Sequence, residues 1–217
     1  MRVLVVADIH GNLAALEAVL DAAGPVDRVW CLGDVVGYGP RPRECVERIR
    51  EYAGPACVLG NHDAACLGRI PLDGFNPVAR YALRWTTLQL GPEHRAYLES
   101  LPEQFILHEV TLVHGSLRAP IWEYIFTPEQ ALASFALLQT RLCFFGHTHV
   151  PFLLSETAAH RGEPPIRPSD GETIVATTRA GTRPLPPEAL IDRAHQLPHR
   201  FMEPPPAAAA PTTRPRR

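Results

Sequence analysis

The chain has 217 residues, 46% of them hydrophobic, and a formal net charge of -2. That length suits one well-filled core, and the charge leaves no electrostatic case for nucleic acid or an anionic membrane as partner. No run approaches the roughly 20 apolar residues of a membrane span. No signal peptide is read at the N-terminus, and five cysteines without a CxxC pair (Cys31, Cys45, Cys57, Cys66 and Cys143) fit a reducing cytoplasm.

Val3-Leu4-Val5-Val6 predicts a buried strand that runs into Asp8-Ile9-His10. Asn12 then caps a helix with Leu13, Leu16, Val19 and Leu20 on one face, and Gly24-Pro25 ends it. A second strand, Val29 to Leu32, reaches Gly33-Asp34. The loop Gly37-Tyr38-Gly39-Pro40-Arg41-Pro42 leads to a helix expected to turn Cys45, Val46, Ile49 and Tyr52 inward. A third strand, Cys57 to Leu59, delivers Gly60-Asn61-His62-Asp63. Strands alternating with helices at this spacing imply βαβ units and a parallel region.

Residues 64–103 read as a helical insertion. One helix opens at Pro77 with Val78, Tyr81, Ala82, Trp85 and Leu88 on one face, and a second spans Glu93 to Ser100. Gln104 to Val113 predicts a hairpin ending at His114. Thr127-Pro128-Glu129-Gln130 is a helix start with a reciprocal cap. Leu142 to Phe145 delivers Gly146-His147-Thr148-His149, and Val150 to Leu154 predicts a returning strand. Beyond about residue 160 the pattern fades: 12 of the 23 prolines lie in the last 57 residues. Residues 160–217 are therefore expected to be largely irregular or disordered, apart from a short strand candidate at Glu172 to Thr177.

The chemistry lies where the apolar runs end. Asp8 and His10, two apart on an extended chain, share a face and can grip one cation. Asp34 is the natural bridging carboxylate if two cations bind. Asn61 offers a neutral oxygen donor, His62 can face substrate, and Asp63 can hydrogen-bond and orient its imidazole, keeping it protonated. His147 and His149 follow a buried strand, and His114 follows another. Each motif alone also fits a polar turn or a core histidine. Together they hold five of the ten histidines, and carboxylate, amide oxygen and imidazole are the donors of a two-metal hydrolytic centre. His94, His108, His160, His195 and His199 lack such a setting and read as structural or solvated.

The ordered series Asp-x-His, Gly-Asp, Gly-Asn-His-Asp, His-Gly, Gly-His-Thr-His resembles the calcineurin-like metallophosphoesterases, most of all their small bacterial and archaeal branch. The match covers roughly residues 1–154. The resemblance implies an α/β, four-layer αββα sandwich of two mixed sheets flanked by helices, in a domain of residues 1–159. It implies that Asp8, His10, Asp34 and His149 hold one divalent ion and that Asp34, Asn61, His114 and His147 hold the other, drawn from Mn, Fe, Ni, Co or Zn. It further implies hydrolysis of a small phosphomonoester or phosphodiester by a hydroxide held between the ions, with His62, backed by Asp63, as general acid. Two alternatives use the same fold: a non-catalytic protein-binding module like the retromer subunit, and a nuclease. Two features depart from the family. The Asp-Arg phosphate clamp of the protein phosphatases is absent after Gly33-Asp34, which disfavours a phosphoprotein substrate. The Asn-Pro-Gly-Ser turn and closing strands do not follow His149, so the tail reads as a divergent, truncated or frame-shifted replacement.

Overall fold

A computed structural model describes residues 1–169 and the strand Ala189–Ile191. β1 (Val3–Val6) and β2 (Arg28–Cys31) run parallel, with Val3 opposite Arg28. All of β1 is buried because both of its faces have partners. Leu4 and Val6 join a core with Leu16 and Val19 of α1 (Leu13–Ala23) and Val46 and Ile49 of α2 (Pro42–Tyr52). Val3 and Val5 point the other way, into a second core with Trp30, Leu32, Val58, Val110 and Leu112. This two-sided burial is the period-two geometry of a strand between layers.

The second sheet supplies the opposite wall of that second core. β3 (Gln104–Leu107) and β4 (Val110–Val113) form the expected antiparallel hairpin, and β5 (Leu142–Phe144) pairs parallel with β4. β6 (Ala189–Ile191) pairs parallel with β1, so the first sheet has the order β2-β1-β6 and the second β3-β4-β5. The helices α3 (Asn61–Cys66), α4 (Pro77–Gln89), α5 (Pro92–Ser100), α6 (Pro128–Phe135) and α7 (Glu156–His160), with a single 3-10 turn at Leu72–Gly74, complete the described elements. The architecture is the expected α/β fold of two sheets flanked by helices. Asn12 accepts from Ala15 N–H, and Thr127 and Gln130 cap α6 reciprocally, as their sequence signatures predict.

Several local readings change. The third strand is a single parallel bridge, Cys31 to Cys57, since Leu59 N–H already donates to Pro102 and α3 begins just after Gly60. Tyr52 is exposed, beyond the buried stripe of Cys45, Val46 and Ile49. The predicted apolar face of α4 is its solvent face. Val78, Tyr81, Trp85 and Leu88 are exposed, while Ala79, Leu83 and Thr86 are buried. Periodicity marks a face without saying which side packs. The returning strand after His149 is one antiparallel bridge, Leu153 to Ile166, followed by α7, which Ser155 caps and the sequence reading missed. The candidate strand Glu172 to Thr177 lies outside the described residues.

Candidate metal centre

β1 and β2 are parallel, as are β4 and β5, so their C-terminal ends lie at common edges, where the motif residues follow. Beyond the strands the chain turns sharply. Asp8, His10, Asp34, His147 and His149 all adopt left-handed φ values, between 51° and 65°. Non-glycine residues visit this region at a cost of roughly 1–3 kcal/mol each, and such strain clusters at functional sites. The convergence of Asp8 and His10 therefore comes from two left-handed turns about Ile9, not from an extended i, i+2 pair. The turns are held by backbone bonds across motifs: Asp8 N–H to Gly33 O (3.1 Å) and His10 N–H to Asp34 O (2.9 Å).

Each carboxylate is aimed by an amide from another motif. Asp34 Oδ1 accepts from His62 N–H at 2.8 Å, which leaves Oδ2 facing the imidazoles. Both oxygens of Asp8 accept from His147 N–H at 3.0 Å. Asp34 Oδ2 lies 3.4 Å from His114 Nε2 and 3.7 Å from His10 Nε2, between two groups of donors. On one side, His10 Nε2 is 3.1 Å from His149 Nε2, which is 3.6 Å from Asp8 Oδ1. On the other, His114 Nε2 is 3.0 Å from Asn61 Oδ1 and 3.1 Å from His147 Nδ1. All seven residues expected as ligands fall in these two groups. Only His149 is substantially exposed.

The far nitrogens of three imidazoles meet backbone carbonyls: His10 Nδ1 meets Val36 O (3.2 Å), His114 Nδ1 meets Leu32 O (2.8 Å) and His147 Nε2 meets Trp122 O (3.3 Å). A carbonyl only accepts, so these nitrogens carry the protons, a tautomer assigned from the network. The near nitrogens of neutral rings then present lone pairs. Around His114 Nε2 the imidazole nitrogen, the Asn61 oxygen, the Asp34 oxygen and His147 Nδ1 are all acceptors. Such a cluster is satisfied by a proton or a cation, so the donor chemistry fits divalent metal on both sides of Asp34. The three carbonyls belong to the backbone and carried no side-chain signal in the sequence.

The electrostatics agree. Burial alone would raise the Asp34 carboxyl, but His114, His62 and His10 hold it far below the usual carboxylate range. Burial alone would lower His114, and Asp34 reverses this, raising it to about 10. His10 is pushed well down by burial, and His147 falls to about 4, by burial and then by the charge on His114. Without metal, one proton shared by His114 and Asp34 does the work of a cation.

His62 and Asp63 depart from the expectation. Asp63 does not reach the His62 imidazole; its carboxylate accepts from Val36 N–H (3.1 Å) and Gly60 N–H (3.0 Å). The reason is α3 itself. Neighbouring helix positions point about 100° apart, and Asp63 turns back to cap the first turn. Burial, then the charge of Asp34, pushes Asp63 up to about 7, and burial lowers His62. His62 still belongs to the centre, in a group with His10 and Asp34, and its Nδ1 is buried without a hydrogen-bond partner. Gly37, at φ 110°, makes room for it: a Cβ there would stand 2.5 Å from His62 Nδ1.

Aromatic rings border the centre. Tyr38 lies against His10 and His62, with centroids at 5.0 and 4.8 Å. Phe75 meets His62 edge-on at 5.1 Å, and Trp122 meets Phe75 at 5.1 Å. Tyr124 stacks on His147 at 3.7 Å and 15°.

Comparison with known proteins gives the same picture. Residues 1–167 match the model of the calcineurin-like phosphoesterase superfamily domain. A metallophosphoesterase from Sphaerobacter thermophilus superposes with TM-score 0.73 at 56% identity, over 80% of this chain and 71% of that one. An uncharacterized protein of Methanocaldococcus jannaschii is 40% identical over 161 residues, 71% of this chain and 65% of that protein. A symmetrical bis(5'-nucleosyl)-tetraphosphatase of Pseudomonas fluorescens is 32% identical over 133 residues, 56% of this chain and 45% of that enzyme. The chain thus spans between about half and two thirds of the length of these two curated relatives.

Proposed function

Because the chain belongs to the calcineurin-like phosphoesterase superfamily, we propose that it hydrolyses a small phosphate ester, a mono- or diester, with two divalent cations as cofactors. The observation that carries this reading is the meeting of acceptor atoms on both sides of Asp34 Oδ2. Asp8, His10, Asp34 and His149 would hold one ion, and Asp34, Asn61, His114 and His147 the other. Oxygen and nitrogen donors without thiolate favour Mn, Fe, Ni, Co or Zn over Ca. When bound, such a pair neutralises charge on phosphate oxygens and makes water more acidic.

The side chains divide the remaining work. Asp34, fixed by His62 N–H, would serve both sites through Oδ2, which faces His10 and His114. Asn61 donates without adding negative charge, which keeps the centre attractive to an anion. His62 contacts the phosphate ester and delivers a proton to the leaving oxygen. Burial keeps its imidazole neutral in the free protein, and an incoming phosphate raises its pKa, so protonation accompanies substrate binding. Asp63 supports His62 indirectly, by fixing the first turn of α3 against Val36. In this reading residues 1–159 are the catalytic unit, with 64–103 as its helical insertion.

The full donor set argues against a binding module that has shed ligands. No helix among the described residues is long and apolar enough to cross a membrane. Thiols at Cys31, Cys45, Cys57 and Cys66, all buried, suit the reducing cytoplasm. The test is turnover of aryl phosphate mono- and diesters with each of the five metals, against a chelated control. Hydrolysis that appears only with metal supports the reading, and none with any metal overturns it.

A further inference from the structure

Three aromatic rings beside the centre have no part in holding cations: Phe75, Trp122 and Tyr38. Phe75 is buried and presents its ring to the His62 imidazole at 89°. Trp122 packs edgewise on Phe75 and is 43% exposed, so much of its indole faces solvent. Its position is built rather than incidental. A Cβ on Gly74 would come within 2.7 Å of the indole, so glycine there lets the ring lie close. The loop that carries Trp122 is fastened at several points. Gly115 N–H donates to Pro120 O, Ser116 Oγ and Arg118 both donate to Glu123, and Leu117 N–H donates to Ser134 Oγ. The Trp122 carbonyl meets His147 Nε2 at 3.3 Å, tying the same residue to the cation site. A half-exposed indole on a rigid loop, two ring contacts from His62, is a preformed flat surface.

We propose that Trp122, supported by Phe75, is a stacking subsite for a planar aromatic ring on the leaving group of the ester. The inference rests on the reading of His62 as the residue that meets the leaving oxygen. A group departing at His62 passes Phe75 and reaches the indole. A flat π surface there gains more from the indole than a saturated ring of equal size, because stacked aromatic faces add to the area they bury. Tyr38, against the His62 ring and 3.4 Å from Asn76 Nδ2 through its hydroxyl, borders the same path.

The test compares benzyl and cyclohexylmethyl phosphates, each as monoester and methyl diester. The leaving atom and the size are alike, and only the flat ring differs. Wild type is expected to prefer benzyl by about tenfold in kcat/KM. Trp122→Ala should reduce that preference to near unity, and Trp122→Phe should restore much of it. A wild type that treats the two esters alike overturns the subsite. So does Trp122→Ala that slows both equally, since a structural role moves both together. If wild type turns over neither ester, the aryl phosphate assay decides the hydrolase reading separately, and binding of the same two esters to metal-loaded protein by calorimetry decides the subsite. Tighter benzyl binding that Trp122→Ala removes upholds it, and equal binding overturns it.

Discussion

Asp34 Oδ2 and His114 Nε2 lie 3.4 Å apart in a fully buried pair, and the proton between them is held with a His114 pKa of about 10. A cation entering between these atoms must displace that proton. His10 and His147 are already neutral at pH 7, because burial pushes both down. Below pH 10 one proton therefore leaves for each cation bound at this side. Affinity for the ion should rise about tenfold per pH unit between pH 7 and 9. Competition with a chromophoric chelator across that range measures the slope, and a flat profile would contradict the shared proton.

Asp34→Asn keeps the oxygen that His62 N–H needs and removes the charge that both groups share. Metal content should fall to less than one ion per chain and turnover should be abolished, with the circular-dichroism spectrum unchanged. Retention of two ions would remove Asp34 from its bridging position.

His62→Ala and Asp63→Ala separate chemistry from support. His62→Ala should lower kcat by roughly 10²–10⁴-fold with metal content intact. Asp63→Ala deletes both backbone bonds to Val36 and Gly60, and it should lower stability by about 1–3 kcal/mol. Urea titration beside metal analysis distinguishes them. Near wild-type turnover in His62→Ala would end its assigned role.

Gly60→Ala places a methyl group against the backbone nitrogen and carboxylate of Asp34. Neither can retreat, since Asp34 N belongs to the turn and Oδ1 is bonded to His62 N–H. A loss of about 2–4 kcal/mol, or failure to load metal, is expected. An alanine variant with normal stability and normal metal content would show that the turn is looser than described.

The candidate donor set was legible because each motif follows an apolar run bounded by turn residues, most of which are strands in the structure. Val3 to Val6 in the first sheet and Thr111 to Val113 in the second carried that signal, and they lead to Asp8 and His114. What the sequence concealed was orientation. The stripe of Val78, Tyr81, Trp85 and Leu88 repeats as a packed face would, yet the helix packs through Ala79 and Leu83. Asp63 stands next to His62 in the chain, but a helix begins at Asn61 and turns the two apart. The carbonyls of Leu32, Val36 and Trp122, which fix the imidazole tautomers, have no residue-type signature at all. Residues that select by chemistry could be read, whereas those that act through backbone position required coordinates.

The most direct test of the central claim is anomalous diffraction from crystals of the full chain soaked in Mn²⁺, with scattering measured at the metal edge. Two peaks are expected, one among Asp8, His10, Asp34 and His149 and one among Asp34, Asn61, His114 and His147. An absence of peaks at Asp34, or bound ions only at sites remote from it, would contradict the account.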